Sequence, residues 1–157
     1  MKRIVWLVAA VVAVWFLGKL SHPAVDIGKL EPVEAVRLVR TQGGIILETD
    51  SGATGRGGTL KAAVADLRRG IGAEVFLETA DKLILVGNMD GYWGGILTEF
   101  RPTCQICYGN MDMDLKEAAR YLEIHPAKQT IGGIRGGSKG IPLLNMNDGR
   151  GELVGGQ

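Results

Sequence analysis

Leu83-Ile84-Leu85-Val86, followed by Gly87, is the stretch that decides the fold. A strand with one wet face alternates apolar and polar residues, whereas four consecutive aliphatics leave no polar face at all. Such a run suits a strand buried on both sides, at the centre of a covered sheet. Just upstream, Glu74–Leu77 (EVFL) is a second apolar run, separated from the first by Glu78-Thr79-Ala80-Asp81-Lys82. Further upstream, Val33–Arg40 (VEAVRLVR) and Ile45–Thr49 (IILET) read as two strands. A helix through Glu34–Arg40 also fits the composition. The Thr41-Gln42-Gly43-Gly44 turn and the β-branched content favour a hairpin. Downstream, Met89–Phe100 reads as a short helix weakened by Gly91, Gly94 and Gly95 and closed by Pro102, and Thr103–Tyr108 (TCQICY) alternates like a strand.

Two helices are signalled clearly. Thr59 is a good N-cap for a helix to about Arg69, with Leu60, Ala63, Val64 and Leu67 on one face and Gly70 and Gly72 as stops. Asp114 caps the second, and Glu117 three residues on completes a capping box. Its apolar face is Leu115, Ala118, Ala119 and Leu122, and Pro126 bounds it. Between the hairpin and the first helix, Asp50–Gly58 (DSGATGRGG) reads as a glycine-rich loop. Near the end, Gly132–Gly140 (GGIRGGSKG) reads as flexible. Ile141–Asn145 and Glu152–Val154, around Asp148-Gly149-Arg150-Gly151, form either a terminal hairpin or a free tail. The expected fold is α+β: a small mixed β-sheet with helices packed mainly on one face, over residues 33–131, followed by a Gly-rich tail or terminal hairpin at 132–157.

The N-terminus is of another kind. Met1-Lys2-Arg3 precedes an unbroken apolar run, Ile4–Gly18, and then Lys19. A positive end before an apolar stretch is what the export machinery reads. Small residues at the −3 and −1 positions of a cleavage site are missing, because His22 precedes Ala24 and Lys19 precedes Ser21. The expectation is therefore an uncleaved N-terminal signal anchor, a transmembrane helix over residues 1–20 held in the lipid bilayer through residues 4–20. A linker at 21–32 follows. The alternatives are secretion after signal cleavage and a buried core helix. The positive-inside rule leaves Lys2 and Arg3 in the cytoplasm and the remainder extracytoplasmic. The 157-residue chain has a formal net charge of +1 and 24 glycines. Without Lys2, Arg3 and Lys19 it holds 15 basic and 17 acidic residues, so the exported part is faintly acidic. That balance argues against a nucleic-acid partner.

Candidate chemistry is sparse. Cys104-Gln105-Ile106-Cys107 is a C-x-x-C, and Cys104 and Cys107 are redox candidates in an oxidising compartment. A working motif puts its first cysteine at a helix N-terminus, whereas a strand points residues 104 and 107 to opposite faces. Gly55, Arg56, Gly57, Gly58 and Thr59 precede a helix and are ligand-loop candidates for an anion. They match neither G-x-x-x-x-G-K-[ST] nor a full G-x-G-x-x-G. Tyr92, Trp93 and Phe100 are contact-patch candidates, with core packing as the default reading. His22 and His125 are isolated, and the ligand count is too small for zinc or calcium. No Ser, His and acid constellation stands out. No catalytic residue, metal or cofactor is expected.

The order hairpin, glycine loop, GGTLKAAVADL, AEVFLETADKLILVG and LKEAARYL resembles the N-terminal domain of the C-subunit of bacterial spore germinant receptors. Gly58-Thr59-Leu60-Lys61-Ala62-Ala63, Val75-Phe76-Leu77 and Leu83-Ile84-Leu85-Val86-Gly87 stand where that family has its G-x-(S/T)-hydrophobic segment and its buried strand. Ile141-Pro142-Leu143-Leu144 falls near its strand after the third helix, and the similarity covers residues 33 to 156. The family usually carries a lipidated cysteine and two further domains, and the expectation for this chain is a single-domain relative without either. This chain has Glu78-Thr79-Ala80-Asp81 where the family commonly carries a glycine and histidine. The resemblance implies a sporulation or germination setting and carries over no catalytic residue. Together these readings give a membrane-anchored extracytoplasmic, non-enzymatic interaction module with an envelope protein partner. The alternatives are an envelope thiol–disulfide protein and a small-ligand or anion-binding domain.

Overall fold

The computed structural model describes residues 30–156 except Ala73, Lys139, Asp148 and Gly149. The expected anchor, residues 1–20, and most of the linker lie outside the described residues. Among the described helices, none is long and apolar enough to cross a membrane.

The domain is α+β, built on a mixed seven-stranded sheet. The elements are β1 (Leu30–Glu31), β2 (Ala35–Thr41), β3 (Gly44–Thr49), β4 (Thr54–Gly57), α1 (Leu60–Ile71), β5 (Glu74–Val75), a 3-10 turn (Leu77–Thr79), β6 (Lys82–Val86), α2 (Trp93–Glu99), β7 (Gln105–Tyr108), α3 (Leu115–Ile124), α4 (Ile131–Arg135), β8 (Leu143–Asn147) and β9 (Arg150–Val154). The strand order is β4-β3-β2-β6-β7-β8-β9. The four inner strands β2, β6, β7 and β8 are parallel, and an antiparallel hairpin closes each side. A separate parallel pair joins β1 to β5.

The all-aliphatic run sits third from one edge of this sheet's parallel core, between β2 and β7. Leu83 and Leu85 enter a large cluster with Leu38, Leu47, Ile106, Leu60, Leu67, Ile96, Phe100 and Ile131. Ile84 enters a smaller one on the other face, with Ala35, Cys107, Leu115, Ala118 and Leu122. Thus α1, α2 and α4 supply the first cluster and α3 the second. Leu83, Ile84 and Leu85 are fully buried, and each such side chain contributes on the order of 1.5–3 kcal/mol.

Local signals set the ends of elements. The Thr59 side chain accepts from the Ala62 N–H, and Gly72, at φ 63°, takes the left-handed conformation that ends α1. Gly70 lies inside that helix rather than stopping it. The Asp114 carboxylate accepts from the Lys116 and Glu117 N–H groups at 2.8 and 3.0 Å. The bond from Glu117 holds its pKa below the ordinary carboxylate value. That capping contribution is present above the unfolded pKa and is lost as pH falls through the folded one.

Three expectations change and one open alternative is resolved. Asp50–Gly58 is not all loop, because Thr54–Gly57 is the edge strand β4, paired Ile46↔Arg56 and Leu47↔Gly55 with β3. Glu74–Leu77 gives only a two-residue strand, since Leu77 opens the 3-10 turn. Within the segment expected to be flexible, residues 132–135 are helical. Thr130 caps α4 by accepting from the Gly133 N–H, and the Gly137 and Ser138 N–H groups bond back to Ile134 and Gly133. The terminal residues form the hairpin alternative, and it joins the main sheet through Tyr108↔Leu143.

One buried cation locks the smaller cluster. Arg37, 7% exposed on β2, donates from Nε and Nη2 to Glu48 Oε2 at 3.1 and 2.6 Å. Its Nη1 donates to the carbonyls of Met111 and Met113 at 3.1 and 2.5 Å. The guanidinium thereby fastens the turn before α3 to the sheet. Replacement Arg37→Met leaves those acceptors without their donor and is expected to cost about 3 kcal/mol in urea unfolding. Arg37→Lys is expected to recover little of it, because an ammonium lacks the planar fork.

Candidate functional site

Parallel strands direct their carboxyl ends, and the loops that follow, to one end of a sheet, where ligand sites of such sheets form. Here β2 ends at Arg40 and Thr41, and β6 runs into Gly87-Asn88-Met89-Asp90-Gly91. The N-termini of α1 and α2 arrive at the same end. Between them lies an open depression of about 480 Å³ that includes Arg40, Thr59, Lys61, Asp90, Tyr92 and Glu99 in its lining.

The depression is held by a fixed cation. Arg40 Nη1 donates to the Tyr92 hydroxyl at 2.7 Å and to the Gly44 carbonyl at 2.9 Å. Its guanidinium carbon stands 4.9 Å from the Tyr92 ring centroid, a cation–π contact. Across from it, Asn88 Nδ2 donates to Asp90 Oδ2 at 2.7 Å and Asp90 N–H donates to Asn88 Oδ1 at 2.8 Å. Gly87 and Gly91, at φ 88° and 85°, supply the left-handed turns this loop requires. The Thr59 hydroxyl is already committed to capping α1. Charges of both signs on fixed supports can recognise a polar, charge-bearing surface, and the wide mouth leaves such a ligand in contact with water.

The candidates read from sequence divide. Gly58, Thr59 and Tyr92 are brought together here. Gly55 and Gly57 lie against α1, and Gly57 also lines, with Arg56 and Gly58, a second open depression of about 480 Å³ beside Gly44. A Cβ on Gly55 would fall on the Ala63 carbonyl and 2.6 Å from the Leu67 nitrogen. One on Gly57 would stand 2.5 Å from the Ala63 nitrogen. The glycines exist so that a helix backbone can lie directly on an edge strand. Arg56 is exposed, and its N–H donates to Asp66 Oδ2 of α1 at 2.9 Å. Of the aromatic trio, Phe100 is 1% exposed inside the core, while Trp93 and Tyr92 are half-buried against it. The trio is therefore not one exposed contact patch.

Cys104 and Cys107 are both free and fully buried. Cys104 belongs to the large cluster and Cys107 to the small one. Burial pushes each thiol up to about 12. In Cys104, Arg101 and Lys82 only partly offset that rise. A thiolate, the nucleophile of disulfide chemistry, is disfavoured at both positions. Among the described residues, no group of three or more His, Cys, Asp or Glu side chains is placed to hold a metal ion.

Arg40, Lys61, Asp90 and Glu99 were not singled out from sequence. The signal available was position: Arg40 ends a strand of the parallel core, and Asp90 follows the all-aliphatic run. No family model, curated protein or solved structure matches the chain.

Two measurements check this division of roles. Gly55→Ala is expected to lower stability by about 2–3 kcal/mol through overpacking against α1. Gly58→Ala, where a Cβ meets nothing within 4 Å, should leave the melting temperature nearly unchanged. A disulfide reagent at pH 8 should label neither cysteine of the folded chain and both after denaturation. Because the folded thiols titrate near 12 against 9.0 for an ordinary one, their contribution is complete below about pH 9. It drains away as pH rises from there toward 12, which an alkaline unfolding series would detect.

Proposed function

We propose that the chain is a membrane-tethered, extracytoplasmic, non-enzymatic interaction module, linked to sporulation or germination, that engages an envelope protein. The observation that carries this reading is the state of the Arg40–Tyr92 depression. Its cation is fixed by two hydrogen bonds and a ring, its Thr59 hydroxyl caps α1, its Tyr92 hydroxyl accepts from Arg40, and its mouth is open. Those are properties of a surface that recognises a polar partner, in contrast to one that encloses a substrate and activates a nucleophile. The apolar run Ile4–Gly18 behind Lys2 and Arg3 supports the tether. The sporulation or germination setting rests on the sequence resemblance of residues 33 to 156 to the germinant-receptor C-subunit domain alone. The burial of both thiols weighs against the thiol–disulfide alternative.

Fractionation with protease protection tests the reading. The full chain is expected in the membrane pellet, released by detergent and not by high salt, with the folded domain digested by protease added outside intact protoplasts. A photocrosslinking residue at position 61 should then capture an envelope protein, and Arg40→Glu should abolish that capture without unfolding the domain. A chain recovered in the cytosolic fraction overturns the tether. Synthesis confined to vegetative growth overturns the sporulation link.

A further inference from the structure

The two edges of the main sheet are finished differently. On β4 the edge is closed: Asp66 of α1 takes the Arg56 N–H, and α1 lies on Gly55 and Gly57. At the opposite end β9 is the last strand of the order, and alternate residues of such a strand aim their N–H and C=O groups away from the sheet. Among the described residues, no side chain takes up that outer edge. The chain beyond β9 turns elsewhere, since Gly156 lies against the Pro142 ring.

The side chains of β9 are sorted by face. Gly151 packs on the Tyr121 ring and Leu153 against the smaller cluster. Arg150, Glu152 and Val154 are exposed on the other face, with Leu143 of β8 directly beside Val154. Among the described residues no helix covers this part of the sheet, and Leu143 and Val154 are 42% and 47% exposed.

We infer that β9 pairs antiparallel with β9 of a second copy of this chain, about a two-fold axis at Gly151. An isologous contact sets residue i against j and j against i. With the axis at Gly151, Arg150 of each copy stands opposite Glu152 of the other, and both pairs lie on the same exposed face. An axis at Glu152 would oppose two carboxylates, and like charges directly opposite are unfavourable. The charges thus choose one register out of the neighbouring ones. Edge charges commonly repel pairing, yet here the spacing of two residues makes them self-complementary. The two seven-stranded sheets would become one continuous sheet. This edge is separated from Arg40 on β2 by β6, β7 and β8, so dimerisation and partner capture can fail independently.

The test is the mass of the full chain in detergent micelles, by light scattering with the detergent contribution subtracted. The wild type is expected as a dimer at micromolar concentration. Arg150→Glu converts both cross-strand pairs to Glu opposite Glu and should raise the dissociation constant at least tenfold. The exchange Arg150→Glu with Glu152→Arg restores opposite charges and should restore the dimer. A single cooperative unfolding transition in both variants, with native circular dichroism, separates dimer loss from unfolding; any excess melting temperature in the exchange variant should vanish on dilution below its dissociation constant. A monomeric wild type, a dimer indifferent to Arg150→Glu (one held by the apolar N-terminal run, for example), or an exchange that fails to restore association overturns the inference.

Discussion

The domain rests on one constraint: β6 has no side that can face water. Leu83 and Leu85 fill one cluster and Ile84 the other, so both faces of the sheet must be covered at that strand. A parallel neighbour on each side and a crossover helix between successive strands is the economical way to meet this. From it follow the positions of α1, α2 and α3. It also follows that the loops leaving β2 and β6 emerge together at one end, which is where the Arg40 depression lies. The candidate site is a by-product of how the central strand is buried.

Close packing elsewhere is bought with side-chain omission and polar bracing. Gly55 and Gly57 let α1 rest on β4 without an intervening layer. Arg37 braces the other face, where its fork reaches Glu48 and two carbonyls 74 and 76 residues away in sequence. Neither feature contributes a group to the depression. They show that several residues with a chemical look, a glycine-rich segment and a buried cation, are spent on holding the sheet and its helices in register.

Much of this was legible in the sequence, and the reason differs by element. The run at 83–86, the turn at 41–44 and the caps Thr59 and Asp114 are local signals, fixed by periodicity and by backbone hydrogen bonding over a few residues. They gave the mixed sheet and the two long helices. What escaped was set by distant contacts. Thr54–Gly57 carries no strand signature, because its two glycines answer to a helix backbone that arrives later in the chain. The Gly132–Gly136 segment looks unstructured, yet the Thr130 cap and the closeness of Gly132 to the Pro102 carbonyl shape it into α4. The site was half visible: Thr59 and Tyr92 were named for their own properties, whereas Arg40 and Asp90 matter only because parallel strands bring their ends together.

The sheet also serves as a partition between two thiols. Cys104 and Cys107 are three positions apart in the chain, but the fold sends them into separate apolar clusters. A bond between them would require the backbone to move, since side chains directed apart cannot be bridged. Only the unfolded chain can bring them together. If the domain matures outside the cytoplasm, folding therefore competes with oxidation: once β7 is seated, neither thiol can be oxidised into that pair, while a bond made earlier bars β7 from its place. In an oxidising compartment the order of those two events then decides whether the sheet closes, whereas a reducing one keeps both thiols free until β7 is seated.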